Sequence, residues 1–290
     1  MLLCISNRKI SVLLAAVSIA AASCAAPHQK PAHEVEFIVM GNTSPASPFT
    51  GRPEKLPFIF RSINQENPVL VIHTGNVVQG GSESVGIAAD DVARQYGQFL
   101  QDKNILRPIL HVLAGEKDLY NNSPELFKQY IAEKLFYSFN YGNAHIILLH
   151  ILNSRHRLDS AQIKWLTQDL EKHRYDAAIF VITNYPVMSS PQSGIRYQGG
   201  DELHRLFVRY PVKAVISGSM KNMYEYEKDG IRYIMAGCFG FNNEDWYWSY
   251  NQYYIIRYDG ARVTVKGVRV NFPGNAYRPL MPAAEPEKKN

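Results

Sequence analysis

The sequence has few of the residues and runs that define several common classes of protein. Its 290 residues include only three cysteines, at positions 4, 24 and 238, and only the last lies in the part that we expect to fold. A single cysteine cannot form an intramolecular disulfide, so stability must come from an apolar core, which this length can supply. The net charge of +5 is mild, and no lysine or arginine run occurs. We therefore expect no nucleic-acid partner.

Common catalytic signatures are also missing. The sequence contains no Gly-x-Ser-x-Gly elbow, no phosphate-binding loop and no paired-cysteine metal motif. Gly80-Gly81-Ser82 lacks the lysine of a phosphate loop and is typical of a flexible turn. The absence of these motifs argues against a serine hydrolase with such an elbow and against a nucleotide-binding protein with such a loop.

The first residues resemble an export signal. An apolar segment, Ile10–Ala22, follows two basic residues and is too short to span a bilayer. It ends in Ala21-Ala22-Ser23-Cys24, small residues before a cysteine that resemble the bacterial lipobox. We expect residues 1–23 to be a signal peptide, Cys24 to carry lipid, and residues 24–34 to form a tether. The protein would then be secreted across the inner membrane and lipid-anchored in the cell envelope, at the periplasm or outer membrane; ordinary cleavage beside an incidental thiol is the alternative.

Apolar runs that end in small or polar residues predict the strands of the fold. The main runs are Val35–Met40, Val69–His73, Ile109–Ala114, Ala178–Thr183 and Val212–Ser217. The run at Ile109–Ala114 predicts a buried strand. Three charged residues, Glu116, Lys117 and Asp118, follow it after a glycine. In open α/β sheets, ligands bind outside the carboxyl ends of the strands, so these ends form the candidate site.

Helices and hairpins complete the pattern. Asp159 is placed to cap a helix running to Lys172, with Ile163, Leu166 and Leu170 facing inward. Two-residue turn signals at Gly142-Asn143, Asp229-Gly230 and Asp259-Gly260 predict hairpins. Strands alternate with helices in the first half and hairpins dominate later, which indicates two layered sheets with helices outside.

Five strand ends carry a resemblance to a known family. In order they read Gly41-Asn42-Thr43-Ser44, Gly75-Asn76, Gly115-Glu116-Lys117-Asp118, Asn184-Tyr185-Pro186 and Gly218-Ser219-Met220-Lys221. Their order and spacing resemble the calcineurin-like metallophosphoesterases, whose signatures run Asp-x-His, Gly-Asp, Gly-Asn-His-Asp, His before a proline, and Gly-His-x-His. The segment 161–166 is similar to the Gln-x-x-Trp-Leu helix of that family. The resemblance implies an α/β fold, a two-sheet αββα sandwich, over residues 35–272, followed by a C-terminal tail at 273–290.

Every metal-ligand position implied by this resemblance has changed. The substituted positions, including that of the catalytic histidine at Lys117, are Asn42, Ser44, Asn76, Glu116, Lys117, Asn184, Ser219 and Lys221. Asp118 is retained, although in the family it orients the histidine that is replaced here. A two-metal centre clamps the attacking and leaving oxygens and needs anionic carboxylates and neutral imidazoles. Amides and an ammonium in their place predict that no catalytic residues and no metal cofactor remain.

The resemblance and the departures together predict a pseudoenzyme. We expect a bacterial envelope protein that binds or scaffolds rather than catalyses. The alternative is a working phosphoric ester hydrolase acting on phosphomonoesters or phosphodiesters, as the fold implies. A third interpretation, a metal-free hydrolase using Glu116, Lys117 and Asp118, lacks a convincing nucleophile.

The vacated site carries an expectation of its own. Lys117 and Lys221, surrounded by Asn42, Asn76 and Asn184, would suit an anionic ligand such as phosphate or an acidic sugar of the envelope. A Glu116–Lys221 ion pair would join two strand ends. The alternative is that both lysines extend into solvent over collapsed loops.

Several histidines and one aromatic segment are further candidates for metal binding or for contact with a partner. We interpret His111, His145 and His150 as structural histidines, whereas His28 and His33 in the tether could bind metal adventitiously. The aromatic segment Trp246–Tyr254 predicts either a surface for sugars or a partner protein, or a sheet edge packed under its own loop.

Overall fold

The fold is given by a computed structural model, which describes most of the chain. The described residues are 34–49, 55–151, 157–188, 197, 199–220, 223–237 and 252–270, without the side chains of 219, 220 and 237. All of them belong to the unit Pro31–Asn290. Cys24, Lys221 and most of Trp246–Tyr254 therefore lie outside the described residues.

Two mixed β-sheets form the centre of the fold. In spatial order, the first sheet contains β11 (Val263–Arg269), β10 (Gln252–Tyr258), β1 (Val35–Met40), β2 (Leu70–His73) and β3 (Ile109–Val112). The second contains β4 (Tyr137–Tyr141), β5 (Ala144–Leu149), β6 (Ala178–Thr183), β7 (Val212–Met220), β9 (Ile231–Gly237) and β8 (Tyr224–Lys228). Strands β1 to β3 run parallel to one another, as do β5 to β7. The carboxyl ends of each parallel set therefore meet at one edge of its sheet.

Helices cover the outer faces of both sheets. They are α1 (Lys55–Gln65), α2 (Ala89–Lys103), α3 (Glu125–Tyr130), α4 (Ser160–Lys172) and α5 (Gly200–Phe207). Within the described part of the chain, no helix is both long and apolar enough to cross a membrane.

Three layers of buried side chains confirm the predicted αββα sandwich. Phe60 and Tyr96 belong to the layer between the first sheet and its helices. Phe37 and Phe180 meet edge to face between the sheets, with ring centroids 5.3 Å apart. Leu166 belongs to the layer between the second sheet and α4 and α5. Fully burying each such side chain contributes roughly 1.5–3 kcal/mol, so burial on both sheet faces holds the layers together.

Helix α4 begins at the predicted cap residue, but the face that it buries differs from the predicted face. The Asp159 side chain accepts a hydrogen bond from the Gln162 N–H at 2.7 Å, a cap worth about 1 kcal/mol. Leu166 and Leu170 are buried, but Ile163 is 41% exposed, so its predicted inward orientation is wrong. Gln162 faces inward instead, because its amide accepts from the backbone N–H of His150 and donates to the His150 carbonyl, both at 2.8 Å.

Strand β3 is less buried than the sequence predicts. Ile109 is 61% exposed, and only Val112 of the four strand residues is buried. The reason is topological, since β3 pairs only with β2 and forms an edge of the first sheet. The apolar residues that follow, Leu113 and Ala114, are buried beyond the end of the strand.

Candidate functional site

The predicted strand ends converge, and glycines allow them to touch. A Cβ added to Gly115, after β3, would lie 2.2 Å from Asn76 Oδ1. Cβ atoms added to Gly41, after β1, and to Gly218, in β7, would lie 2.1 and 2.3 Å from Thr74 Oγ1. The loops after β1, β2 and β3 therefore pack against one another and against β7 of the second sheet.

Asp118 is the buried anion at this junction. Its side chain has no solvent exposure, and it accepts four hydrogen bonds from backbone N–H groups. Oδ2 accepts from Asn76 at 2.6 Å and from Gly115 at 2.7 Å, and Oδ1 accepts from Val77 at 2.7 Å and Val78 at 3.1 Å. Burial raises the pKa of Asp118 to about 6 although these bonds oppose the shift. Asp118 therefore holds the loops after β2 and β3 in register.

Two asparagines bridge the ends of β1 and β2. Asn76 Oδ1 accepts from the Lys117 N–H at 2.9 Å, so the other end of this amide must present its Nδ2 group. That group donates to Asn42 Oδ1 at 2.6 Å. Both residues have positive φ, 55° at Asn42 and 61° at Asn76, a conformation that asparagine adopts more readily than most residues. The buried Asn42–Asn76 pair therefore links two strand ends directly.

A third asparagine performs the same role in the second sheet. Asn184, directly after β6, accepts from the Ile151 N–H at 2.6 Å and donates to the Ile151 carbonyl at 2.9 Å. It is 3% exposed. Its two bonds fix the chain after β5 against the chain after β6.

The charged candidates lie further out. Glu116 is exposed and Lys117 is half-buried in a turn of 3₁₀ helix at Glu116–Asp118, whereas Ser44 is buried. Lys221 and the side chain of Ser219 lie outside the described residues, so the Glu116–Lys221 ion pair stays a prediction. The exposure of Glu116 does weaken it, because screening by water leaves little energy in an exposed ion pair.

Two histidines outside the five predicted strand-end motifs lie beside the site. His150 follows β5, and its Nδ1 lies 2.9 Å from the Ala114 carbonyl oxygen; burial lowers its pKa to about 4, so the neutral ring donates this bond. His73 ends β2 with its Nδ1 accepting from the Gly75 N–H at 3.0 Å, which leaves Nε2–H to donate to Thr43 Oγ1 at 3.0 Å. Their positions at the ends of apolar runs were the available signal. Both rings fix backbone around the asparagines.

A separate cluster contains residues that could hold a metal ion. His145, Asp169 and His173 each offer one ligand atom, and these atoms lie within 4.8 Å of one another. His145 lies near the start of β5, whereas His150 follows its end, so this cluster is at the opposite end of the strand from the asparagines. The spacing of Asp169 and His173, four residues apart on one helix face, was its signal in the sequence.

Comparison with known proteins identifies a family for this chain. The model of the family "Calcineurin-like phosphoesterase" matches residues 47–218, more than half of the chain. No protein with a curated description matches the sequence.

Solved structures show the same fold. A dimetal phosphatase from Danio rerio superposes with a TM-score of 0.61 at 11% identity, covering 81% of this chain and 96% of that one. GAP50, the anchor in the inner membrane complex of Plasmodium, gives 0.57 at 17% identity, with coverages of 82% and 85%. The purple acid phosphatase PPD1 from yellow lupin (Lupinus luteus) seeds also gives 0.57, at 14% identity, and here 87% of this chain matches 54% of that one.

Proposed function

Because this chain belongs to the calcineurin-like phosphoesterase family but carries amides and cations where that family holds its metals, we propose that it is a degenerate member without phosphoesterase activity. Its role would be to bind or scaffold a component of the cell envelope.

The hydrogen bond between Asn76 Nδ2 and Asn42 Oδ1 carries this proposal. A metal ligand must offer a lone pair, but Asn76 directs an N–H donor at Asn42, and its Oδ1 already accepts from Lys117. Holding an ion here would break this bond, and neutral amides would replace little of the charge that carboxylates supply.

The remaining donors support the same conclusion. The four hydrogen bonds to the Asp118 carboxylate come from backbone N–H groups, and Asn184 is bonded to Ile151 at both ends of its amide. Glu116 is a carboxylate, but it is exposed. These residues do not fit a two-metal centre, and they therefore do not support metal-dependent hydrolysis.

The structural neighbours leave the activity open, because identities of 11–17% show the fold alone. Two are described as phosphatases and one as an anchor. The fold thus carries both kinds of role, and residues at the site must decide. The proposed envelope location rests on the lipobox-like segment before Cys24.

The anion pocket is part of the proposal, but some of its expected hydrogen-bond donors already have partners. One N–H of Asn76 is used by Asn42, and one of Asn184 is used by Ile151. The positive charge that would attract an anion must come from Lys117 and Lys221, of which only Lys117 is described. A binding role therefore does not depend on this pocket alone.

A turnover assay tests the proposal. The full chain is incubated with p-nitrophenyl phosphate and bis(p-nitrophenyl) phosphate in the presence of Mn²⁺, Zn²⁺ or Fe²⁺. We expect hydrolysis no faster than with Asn76→Ala or Asn184→Ala, each checked for folding by circular dichroism. Metal-dependent turnover that both substitutions abolish in folded protein would overturn the proposal and establish the hydrolase alternative.

A further inference from the structure

The cluster of His145, Asp169 and His173 lies away from the strand ends that define the family site. His145 and His150 are five residues apart along β5, which corresponds to roughly 17 Å in a strand. Asp169 lies in the last turn of α4, and His173 is the C-cap residue directly after this helix. The side chains are 2%, 11% and 12% exposed, respectively, so the cluster is largely shielded from water.

Each of the three side chains is oriented by a further polar group. His145 Nδ1 lies 2.7 Å from Asn140 Oδ1, and His173 Nδ1 lies 2.8 Å from Asp176 Oδ2. The Ser138 hydroxyl donates to Asp169 Oδ1 at 3.0 Å. Histidines that ligate metals have this arrangement, in which one ring nitrogen donates to an oxygen and the other keeps its lone pair for the ion.

Both ring nitrogens of His145 face oxygen atoms of neighbouring side chains. Its Nε2 lies 2.8 Å from Asp169 Oδ2, while Nδ1 faces Asn140 Oδ1, so oxygen acceptors stand at both nitrogens. His145 Nε2 and Asp169 Oδ2 thus already lie side by side, as two ligands of one ion do. His173 stacks on this ring, with centroids 3.5 Å apart, and brings a second imidazole to the same place.

We propose that His145, Asp169 and His173 form a binding site for one Zn²⁺ ion or a similar transition-metal dication. Two imidazoles and one carboxylate suit zinc, whereas Mg²⁺ and Ca²⁺ prefer oxygen ligands. The bound ion would join the end of α4 to the hairpin of β4 and β5. The site lies outside the family positions, so it does not depend on the absence of phosphoesterase activity.

Binding requires a small local rearrangement. Ligand atoms around a tetrahedral zinc ion are about 3.4 Å apart, given zinc–nitrogen bonds near 2.0–2.1 Å. His145 Nε2 and Asp169 Oδ2 lie 2.8 Å apart and must separate to hold an ion, while all the ligand atoms, now within 4.8 Å of one another, must settle at about that 3.4 Å spacing. The stacked rings are within 10° of parallel, and their lone pairs therefore do not point at one ion. His173 must turn out of the stack, which its place at the helix end and its partial exposure allow.

Zinc titration of the full chain tests the site. Isothermal titration calorimetry is carried out with Zn²⁺ on a background with His28→Ala and His33→Ala, which removes the tether histidines. We expect one ion per chain, and at least tenfold weaker binding after His173→Ala. Asp176→Asn, at a side chain that is 34% exposed, should weaken binding by about tenfold by loosening His173. Zn²⁺ should raise the melting temperature of the background protein more than that of either variant.

Each result of the zinc titration either supports the proposed site or overturns it. If the background protein takes up no stoichiometric Zn²⁺, or if folded His173→Ala binds as tightly as the background does, the proposal is wrong. Stoichiometric binding that depends on His28 and His33 would show an adventitious tether site and would also overturn it. Should His173→Ala fail to fold, undiminished binding by Asp176→Asn would count against the proposal, and a tenfold loss would support it.

Discussion

The buried carboxylate of Asp118 should contribute less to stability as the pH rises from 5 to 7.5. Its pKa is about 6 in the folded protein, against an ordinary value of 3.8. The folded state therefore binds this proton more tightly than the unfolded state does. The resulting stabilisation is complete below pH 4 and is lost as the pH rises through 6.

The size of the effect follows from the same two values. The full contribution is about 3 kcal/mol, because each tenfold change in proton affinity is worth about 1.4 kcal/mol. Between pH 5 and pH 7.5 the expected loss from Asp118 is about 1.4 kcal/mol. His150, whose pKa burial lowers to about 4, contributes a change of opposite sign over this interval, and this change is common to the wild type and to Asp118→Asn. Burial of the charge thus outweighs the four hydrogen bonds from backbone N–H groups.

Urea unfolding at several pH values measures this contribution. The free energy of unfolding is determined for the wild type and for Asp118→Asn at pH 5.0, 6.0 and 7.5, with Asp90→Asn as a matched exposed control. The asparagine amide places an NH₂ group against backbone donors, but this penalty does not change with pH. The wild type should therefore lose about 1.4 kcal/mol relative to Asp118→Asn between the extremes.

Two results would refute this reasoning. A difference that does not vary with pH would mean that the backbone N–H groups hold Asp118 ionised throughout. A difference that favours the wild type increasingly at high pH would mean that the pKa is lowered rather than raised. Either would show that hydrogen bonding, not desolvation, dominates at the junction of the loops.

Three further predictions concern other parts of the chain. Cys24→Ser should release the protein from the membrane fraction, and a wild type without acyl mass on Cys24 would contradict the lipoprotein interpretation. Gly115→Ala should destabilise the fold by about 1–3 kcal/mol in urea unfolding, because its Cβ would lie 2.2 Å from Asn76 Oδ1; Gly97→Ala, whose Cβ meets nothing within 4 Å in α2, should stabilise by up to about 1 kcal/mol. Phosphate should raise the melting temperature of the wild type more than that of Lys117→Met, and equal protection would argue against the anion pocket.

The sequence predicts the sheets well where strands are buried on both faces. The bounds of β1 and β6 agree with the predicted apolar runs, since those runs are closed by turn residues. It fails where tertiary partners decide the orientation. Nothing local shows that Gln162 will bond to the His150 backbone and displace Ile163 from the inner face of α4.

The candidate site shows the same division. The convergence of Asn42, Asn76 and Asp118 follows from the parallel topology, so their positions at strand ends predict it. The hydrogen bonds that they form could not be predicted, because the partners, such as Lys117 N–H and Val77 N–H, are backbone groups placed by the turns. The cluster around His145 was missed because its members come from a strand and from the far end of a later helix.

Thr74 has a mechanical consequence for the whole molecule. Its Oγ1 is held between the backbone of Gly41, directly after β1 of the first sheet, and that of Gly218 in β7 of the second, where neither position leaves room for a side chain. Sliding one sheet over the other would drive this hydroxyl into main chain, so relative shear of the two layers is blocked at this edge.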